Sequence, residues 1–350
     1  MNRLLAPFSW LYAIVLNIRH WLYDCGILES RSFSNVPTIC IGNLALGGTG
    51  KTPHTEYLIR LLKDKCKVAV LSRGYGRQSK GFVLADESVS YENIGDEPLQ
   101  YRLKFTGITV AVDENRCDGV EHLMRMEQAP DVILLDDAYQ HRKIKPGLNI
   151  LLTEYYNIYT NDMLVPAGHL RDVKSAAKRA DIIIVTKSPR VLLPYDKRDV
   201  TNLIDAKPYQ KLFFTYIDFQ GLNPINQVAK DTIPNNVKSI YLFCGIANPY
   251  PLEDHLKRKY NTLITKYFDD HHRFNDNDID MIMDGYNSVI GKNKIIVTTE
   301  KDLMRLTNSS YINRFDNVPL FTIPIEVRFN DKNEEEIFNN LILEYVGKNS

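Results

Sequence analysis

Residues 40–52 read CIGNLALGGTGKT, a glycine-rich stretch that ends in Lys51 and Thr52. An apolar run at 36–41 leads into it, and an amphipathic run at 52–63 follows it. This pattern predicts a strand, a glycine-rich turn and a helix. Backbone N–H groups in such a turn curl around an anion, and the start of the helix adds its positive end. We therefore expect the stretch to bind the phosphates of a nucleoside triphosphate.

Two side chains at the end of this turn suit a triphosphate that is bound with Mg²⁺. Lys51 can reach the terminal phosphates, and the Thr52 hydroxyl can hold the metal. The usual pattern is G-x-x-x-x-G-K-[ST], but Ala45 stands where the first glycine belongs. An ordinary glycine-rich turn before Lys-Thr is the alternative. The residues expected to hold the nucleotide are Ala45, Leu46, Gly47, Gly48, Thr49, Gly50, Lys51 and Thr52.

The composition is typical of a globular protein in a reducing compartment. The chain has 350 residues, of which 44% are hydrophobic and 25% are charged. Its net charge of zero implies no broad attraction to nucleic acid. The five cysteines are scattered and include no C-x-x-C pair, which argues against a zinc site.

The N-terminal segment is unusually apolar. Residues 4–18 are almost wholly apolar, and both tryptophans of the chain, Trp10 and Trp21, lie in or beside this run. The run is too short to span a bilayer comfortably, and Arg19 and His20 interrupt it. A helix lying in a membrane surface is one interpretation. A buried helix packed on the core is the other.

Six continuous apolar runs predict a parallel sheet that is buried on both faces. Helical patterns separate several of these runs, which is typical of a doubly wound α/β domain. The expected strands are 36–41, 67–71, 108–112, 131–135, 148–152 and 181–185. In such a domain the ligand site lies at the carboxyl ends of the strands.

A second set of apolar runs predicts a smaller α/β domain. Its strands are expected at 211–217, 239–244, 262–268, 294–298 and 320–325, with helices near 251–259, 276–290 and 332–345. Pro194 and Pro208 break the periodicity, so we expect the boundary between 191 and 211. The expected organisation is an N-terminal helix over 1–30, a P-loop domain over 31–200 and a C-terminal domain over 201–350.

Two pairs of acids are candidates for metal binding and catalysis. Asp136 and Asp137 end an apolar run, where a carboxylate can help to hold Mg²⁺. Solvated acids at a strand end are the alternative. Asp96 and Glu97 lie at a junction between a loop and a helix. Asp96 is either the N-cap of that helix or a base that orients an acceptor hydroxyl.

A run of two acids and two histidines, residues 269–272, follows a strand in the second half. Metal ligands, a carboxylate-tuned imidazole and a plain polar loop are the three interpretations. Without a cysteine partner, the tuned imidazole is favoured over the metal. Four arginines near predicted element ends either clamp phosphate or support the surface. They are Arg73, Arg116, Arg142 and Arg171.

Eight ordered motifs closely resemble the bacterial tetraacyldisaccharide 4′-kinase family, over residues 4 to about 305. They are IGN with GGTGKTP (41–53), SRGYG (72–76), GDEP (95–98), DDAYQH (136–141), PAGHLRD (166–172), GIANP (245–249), DDHH (269–272) and TEKD (299–302). The resemblance implies an ATP-dependent kinase that phosphorylates the 4′-hydroxyl of a tetraacylated glucosamine disaccharide 1-phosphate in lipid A biosynthesis. It also implies a monotopic protein on the cytoplasmic face of the bacterial inner membrane, with no nucleic acid and no obligate protein partner.

Residue roles follow from this resemblance together with the needs of phosphoryl transfer, which are positioning and charge neutralisation. Asp96 takes the proton of the sugar hydroxyl, and His271 tunes Asp96 from the second domain. The implied catalytic set is Asp96, His271, Lys51 and Asp137, and the implied metal set is Thr52, Glu97 and Asp136. Asp172 stands where the family usually has Glu, which leaves the role of Asp172 open.

A switch protein that hydrolyses GTP is the alternative from another class. Such a protein needs an N/T-K-x-D motif at a strand end. Residues 299–302 have no residue between Lys and Asp, and residues 186–189 lack the acid. The missing motif and the apolar N-terminal helix favour the kinase.

Overall fold

The structure, a computed structural model, describes residues 3–86, 89–232, 236–291, 293–307 and 311–349. Its strands are β1 Thr38–Asn43, β2 Val68–Ser72, β3 Val83–Leu84, β4 Thr109–Val112, β5 Val132–Asp136, β6 Leu148–Glu154, β7 Ile182–Thr186, β8 Lys211–Phe219, β9 Asn223–Pro224, β10 Ser239–Cys244, β11 Thr262–Tyr267, β12 Lys294–Thr299, β13 Leu320–Ile323 and β14 Ile325–Phe329. Its helices are α1 Ala6–Asp24, α2 Lys51–Leu62, α3 Tyr91–Ile94, α4 Asp96–Lys104, α5 Arg116–Met124, α6 Pro194–Ile204, α7 Gln227–Asp231, α8 Tyr250–Lys257, α9 Asp276–Ser288, α10 Glu300–Thr307 and α11 Lys332–Asn349.

The strands form two sheets. The larger has nine strands in the order β14-β8-β7-β6-β1-β5-β2-β4-β3, and the smaller has five in the order β11-β10-β12-β13-β9. The strands of the larger sheet run parallel, except that the two edge strands, β14 and β3, are each antiparallel to their neighbour. Ile41 in β1 pairs with Asp136 in β5, so the turn after β1 lies beside that acid. The doubly wound α/β fold is therefore confirmed.

Successive residues of each central strand face two apolar cores, one on each side of the larger sheet. Ile39 and Ile41 belong to one core, and Cys40 between them belongs to the other. Helices α2, α4 and α11 contribute to the first core, and α1, α5 and α6 contribute to the second. The first core also contains Ile296, in β12 of the smaller sheet, and Leu303, in α10. One apolar cluster therefore joins both sheets.

Helix α1 packs on the body through a narrow stripe of buried residues, namely Ser9, Leu16 and His20. The Ser9 hydroxyl donates to the carbonyl of Leu164 at 2.8 Å. The large apolar side chains of the other faces are each more than half exposed: Phe8, Trp10, Leu11, Ile14, Val15, Ile18 and Trp21. Among the described residues, no helix has the length and hydropathy that a membrane span requires.

Two prolines differ in effect from the sequence expectation. Pro194 does not interrupt regular secondary structure but is the first residue of α6. A proline at the first helical position loses no hydrogen bond. Pro324 divides the strand expected at 320–325. Strand β13 ends before this proline in the smaller sheet, and β14 begins after it in the larger sheet. Proline has no N–H to continue a strand ladder.

The chain returns to the larger sheet after building the smaller one. Strands β8 and β14 lie in the larger sheet, and α11 packs there, although all three follow residue 200. The Tyr57 hydroxyl of α2 lies within hydrogen-bond distance of two residues of α11, at 3.0 Å from Glu335 Oε1 and 2.9 Å from Asn339 Oδ1. Segments on both sides of the boundary expected at residue 200 therefore belong to the larger sheet. The sequence did not indicate this, because an apolar run does not specify which strand it pairs with.

The packing of α11 predicts a large effect for Phe338→Ala. Phe338 is 2% exposed, and its ring packs edge-on against Phe213 and Tyr57. Removing a buried ring leaves a cavity, so the free energy of unfolding in urea should fall by about 3–5 kcal/mol. Phe8→Ala, at a side chain that is 63% exposed, is the control and should change stability by less than ~0.5 kcal/mol. Equal stability of the two variants would contradict this packing.

Candidate active site

The glycine-rich turn is held by hydrogen bonds from the ends of two strands, β1 and β7. Gly50 is the N-cap of α2 with φ of 88°, a left-handed conformation that favours glycine. The amide of Asn43 donates to the Thr49 hydroxyl at 2.7 Å. The hydroxyl of Thr186, in β7, donates to the Thr49 carbonyl at 2.9 Å. The turn therefore ends at a fixed helix N-terminus, where backbone N–H groups lack partners within the helix.

His54 holds the first turn of α2 from inside the protein. Its Nδ1 lies 2.7 Å from the Gly50 carbonyl oxygen, which can only accept, so Nδ1 carries the hydrogen. Its Nε2 then accepts from the hydroxyl of Thr215 in β8, at 3.0 Å. Burial lowers the pKa of His54 to about 4. The imidazole is therefore neutral near pH 7.

The segment 166–172 lies against the glycine-rich turn. Leu170 and Ala45 form an antiparallel bridge, and the Arg171 N–H donates to the Leu44 carbonyl at 2.8 Å. The Arg171 guanidinium forms an ion pair with Asp137, and the ammonium of Lys51 lies 3.8 Å from the same carboxylate. Burial would raise the pKa of Asp137, but Lys51 and Arg171 outweigh it, so the pKa is lowered.

Asp136 and Glu97 also lie near Lys51, whose charge acts to lower the pKa of each. Asp136 is fully buried and accepts from the Tyr101 hydroxyl at 3.1 Å. Burial, followed by the charge of Glu97, raises the pKa of Asp136 to about 7. Glu97 Oε1 accepts from the Thr52 hydroxyl at 3.0 Å. The structure thus brings Thr52 and Glu97 into contact and places Asp136 beside them at the end of β5.

Asp96 joins the two sheets. It is 6% exposed at the start of α4, where Gly95 is the N-cap, so the N-cap interpretation of Asp96 is wrong. Its Oδ2 lies 2.9 Å from His271 Nδ1 and accepts from Arg305 Nη2 at 2.7 Å. Burial would raise the pKa of Asp96, but the hydrogen bond to His271 and the charges of Lys301 and Arg305 outweigh it. The pKa of Asp96 therefore lies well below its usual range.

The two histidines of residues 269–272 have different partners. The hydrogen bond to Asp96 raises the pKa of His271, which supports the tuned imidazole. His272 Nε2 lies 2.9 Å from Asp278, the residue that closes the capping box of α9. His272 thus anchors the loop that carries His271. The described residues contain no group of three or more His, Cys, Asp or Glu able to hold a metal.

Sequence reasoning missed Lys301 and Arg305. Lys301 Nζ lies 2.6 Å from Glu97 Oε1, and Arg305 is 2% exposed between Asp96 and Asp302. The two cations are four residues apart in α10 and therefore lie on one face of that helix. The spacing of the two cations can be read from the TEKD motif and the residues that follow it. Their partners Glu97 and Asp96, however, lie about two hundred residues earlier in the chain.

The other arginines have separate partners. Arg116 is buried and donates to the carbonyls of Asp113 and Glu114 at 3.1 Å. Arg73 is exposed at the end of β2. Arg142 forms an ion pair with Asp24 of α1 at 2.7 Å. Of the four, Arg171 forms an ion pair with the carboxylate of Asp137, and Arg116 donates to the backbone carbonyl of the same residue at 3.4 Å.

Asp172 ties α1 to the segment that supports the turn. Its carboxylate is 1% exposed and lies 2.6 Å from Nε2 of His20. The Nδ1 of His20 faces the guanidinium groups of Arg142 and Arg179, each at 3.2 Å. Guanidinium groups only donate, so Nδ1 accepts and Nε2 donates to Asp172. Asp172 follows Arg171 directly, and the hydroxyl of Tyr12, also in α1, donates to the Arg171 carbonyl at 3.2 Å. Helix α1 is thus attached to the segment that carries Arg171 at two neighbouring residues.

Comparison with known proteins gives a consistent result. The model of the family described as tetraacyldisaccharide-1-P 4′-kinase matches residues 1–343. A tetraacyldisaccharide 4′-kinase of Bacteroides thetaiotaomicron is 44% identical, over 100% of this chain and 94% of that protein. One of Porphyromonas gingivalis is 39% identical, over 98% of this chain and 97% of that protein. The crystal structure of LpxK from Aquifex aeolicus in complex with ATP has a TM-score of 0.73 at 29% identity, over 98% of each chain.

The buried imidazole of His54 predicts a loss of stability in acid. Its pKa in the folded protein is about 4, below the ordinary 6.5, so the folded state keeps it neutral. This contribution is complete above pH 6.5 and is lost as the pH falls from 6.5 toward 4. Between pH 7 and 4.5 the wild type should lose about 2–3 kcal/mol more unfolding free energy than His54→Gln.

Urea unfolding at a series of pH values measures this difference. Gln keeps a donor for the Gly50 carbonyl but does not titrate in this range. His122→Gln, at an exposed histidine, is the matched control and should follow the wild type. Parallel acid profiles for wild type and His54→Gln would refute the assignment.

Proposed function

The chain belongs to the tetraacyldisaccharide-1-phosphate 4′-kinase family, and we propose how its described residues perform the reaction of that family. It is an ATP-dependent kinase of lipid A biosynthesis whose acceptor is the 4′-hydroxyl of a tetraacyldisaccharide 1-phosphate. The observation that carries the proposal is the contact between Asp96 and His271. These residues come from opposite sheets and meet beside the turn that binds phosphate.

Asp96 is proposed to act as the general base. A bond forms between the 4′-oxygen and the γ-phosphorus as the bond from that phosphorus to the bridging oxygen breaks. The electron pair of the broken bond stays on ADP, and the hydroxyl proton moves to Asp96. Arg305 and His271 hold the carboxylate in its ionised form.

The glycine-rich turn and two cations are proposed to neutralise the phosphates. Backbone N–H groups at the start of α2 face the charge that develops on the γ-phosphoryl oxygens. Lys51 is 14% exposed and lies near Asp137, so a triphosphate in the turn can draw its ammonium away. Arg171 holds Asp137 in place from the other side.

Mg²⁺ is proposed to bind at Thr52, Glu97 and Asp136. All three are oxygen donors, which is the preference of Mg²⁺, and two of them already share a hydrogen bond. Among the described residues, no cluster of three or more His, Cys, Asp or Glu side chains could hold the ion without further ligands. Mg²⁺ in kinases is usually held by one or two carboxylates together with substrate phosphates, so this donor set fits. When bound, the ion neutralises charge on the β- and γ-phosphates.

The acceptor is proposed to approach from a membrane surface on the cytoplasmic face of the inner membrane. The exposed apolar face of α1 can enter the interface, with Trp10 and Trp21 at its boundary. Arg73 is exposed at the end of β2. Burial, followed by the charges of Arg116, Lys143, Arg19 and Arg73, lowers the pKa of His141 to about 4, so several cations lie near this histidine. This positive region suits the phosphate that the acceptor carries.

Transfer of labelled phosphate from ATP to a tetraacylated disaccharide 1-phosphate in detergent tests the function. Asp96→Asn and His271→Ala should each lower the rate of the chemical step by about 10²–10⁴-fold, because a positioned base or its partner is lost. ATP affinity should change little in both variants.

The double variant tests whether the two residues act as a unit. Residues that act together lose little more in combination than singly, whereas independent residues multiply their effects. Fully multiplied losses would contradict the Asp96–His271 pair. Asp280→Asn, at an exposed acid of α9, is the matched control and should keep the full rate.

The membrane proposal predicts a selective defect for charges on α1. In the double variant Ile14→Glu and Ile18→Glu, both side chains are more than half exposed, so folding should be retained. Binding to phospholipid vesicles should be lost, because burial of apolar area drives interfacial binding. Transfer to a bilayer-embedded acceptor should fall more than transfer to a short-chain soluble one.

Sedimentation with vesicles and thermal melting separate the outcomes. Ile290→Glu, at a side chain of α9's trailing loop that is 93% exposed, is the control and should still sediment with vesicles. Undiminished vesicle binding by the α1 variant would refute the membrane role. A lower melting temperature of that variant would indicate that α1 belongs to the core instead.

A further inference from the structure

Lys301 shares one carboxylate oxygen with the glycine-rich turn. Its Nζ lies 2.6 Å from Glu97 Oε1, and the same oxygen accepts from the Thr52 hydroxyl at 3.0 Å. Thr52 is the second residue of α2, directly after Lys51. The smaller sheet therefore delivers an ammonium group, through α10, to the position where a bound triphosphate meets the helix.

The two cations of α10 are held to different degrees. Arg305 is 2% exposed and donates to Asp96, to Asp302 and to the Gly245 carbonyl, so its guanidinium is fully engaged. Lys301 is 27% exposed, and among the described residues its hydrogen-bond partner is Glu97. An ammonium has three donors, so two remain available. Lys301 can change partner without breaking a buried network, and Arg305 cannot.

Lys301 and Lys51 pair with different acids of the site. Lys51 lies near Asp137, whereas Lys301 lies on Glu97. Burial would lower the pKa of Lys301, but Glu97 and Asp96 raise it to about 12, so the side chain stays charged. The transferring phosphoryl group spreads negative charge over three oxygens, and one lysine cannot meet all of them.

We propose that Lys301 is a second catalytic lysine, which leaves Glu97 when ATP binds and donates to the γ-phosphoryl oxygens during transfer. This inference rests on the proposed function of the site. Lys301 keeps its proton throughout, and the hydroxyl proton still goes to Asp96. The exchange also frees a Glu97 oxygen for the metal. The small sheet thus contributes charge stabilisation as well as His271.

The test compares Lys301→Met with Lys104→Met. Lys104 lies in the same α4–α10 contact, where it pairs with Glu300 at 2.7 Å and with Glu56 at 2.8 Å. Both variants remove one ion pair between the sheets, but Lys104 does not contact Glu97 or the turn. Lys301→Gln is measured in parallel, because it keeps a donor for Glu97 and so protects folding.

The readouts are the single-turnover rate with ATP and the affinities for Mg²⁺·ADP with and without aluminium fluoride, which mimics the transferring phosphoryl group. Loss of one donor to developing charge costs about 10²–10³-fold, so Lys301→Met and Lys301→Gln should lose that factor in rate. They should lose a similar factor in affinity for the aluminium fluoride complex but little for ADP. Lys104→Met should retain the rate and both affinities.

Three outcomes would overturn the inference. The first is an equal loss of affinity for ADP and for its aluminium fluoride complex in Lys301→Met. The second is a full transfer rate in folded Lys301→Met, and the third is the same kinetic loss in Lys104→Met. Wild-type protein that binds the analogue but transfers nothing to the disaccharide would instead refute the proposed function, which keeps the two failures distinct.

Discussion

The ion pairs between α4 and α10 are the interaction on which the rest of the site depends. Asp96 with Arg305 and Glu97 with Lys301 join the larger sheet to the smaller one beside the glycine-rich turn. Asp96 is buried, and burying it without a partner would be strongly unfavourable, since an unpaired buried charge costs several kcal/mol. Arg305 and His271 keep Asp96 ionised, and Lys301 lowers the pKa of the partly buried Glu97.

The same principle extends to the acids of β5 and to α1. Asp137 is ionised because Lys51 and Arg171 outweigh its burial. At Asp136, burial and the negative charges of Glu97 and Asp137 outweigh Lys51, so its pKa rises to about 7. Arg171 is followed by Asp172, whose bond to His20 attaches the N-terminal helix. Polar contacts thus link α1, which carries the exposed apolar face, to the segment that lies against the phosphate-binding turn.

Much of the larger sheet could be predicted because its signals are local. Continuous apolar runs placed most strands within two residues, and the stretch 40–52 located the turn. The run at 320–325 was predicted as one strand because its apolar pattern continues through Pro324, but it divides between the sheets. The choice between them depends on pairing with β8 or β12, which are distant in the chain.

The sequence by itself determined the phosphate-binding turn, the parallel sheet, the family and the identity of Asp96 and His271 as candidates. Local glycine, lysine and acid spacing carries that information, since it specifies backbone conformation and ligand chemistry. Only the tertiary structure decided which cation meets which acid, including Lys301 with Glu97. The partners are about two hundred residues apart, and their contact exists only because α10 packs against α4. Packing at that range depends on the whole fold and leaves no local pattern.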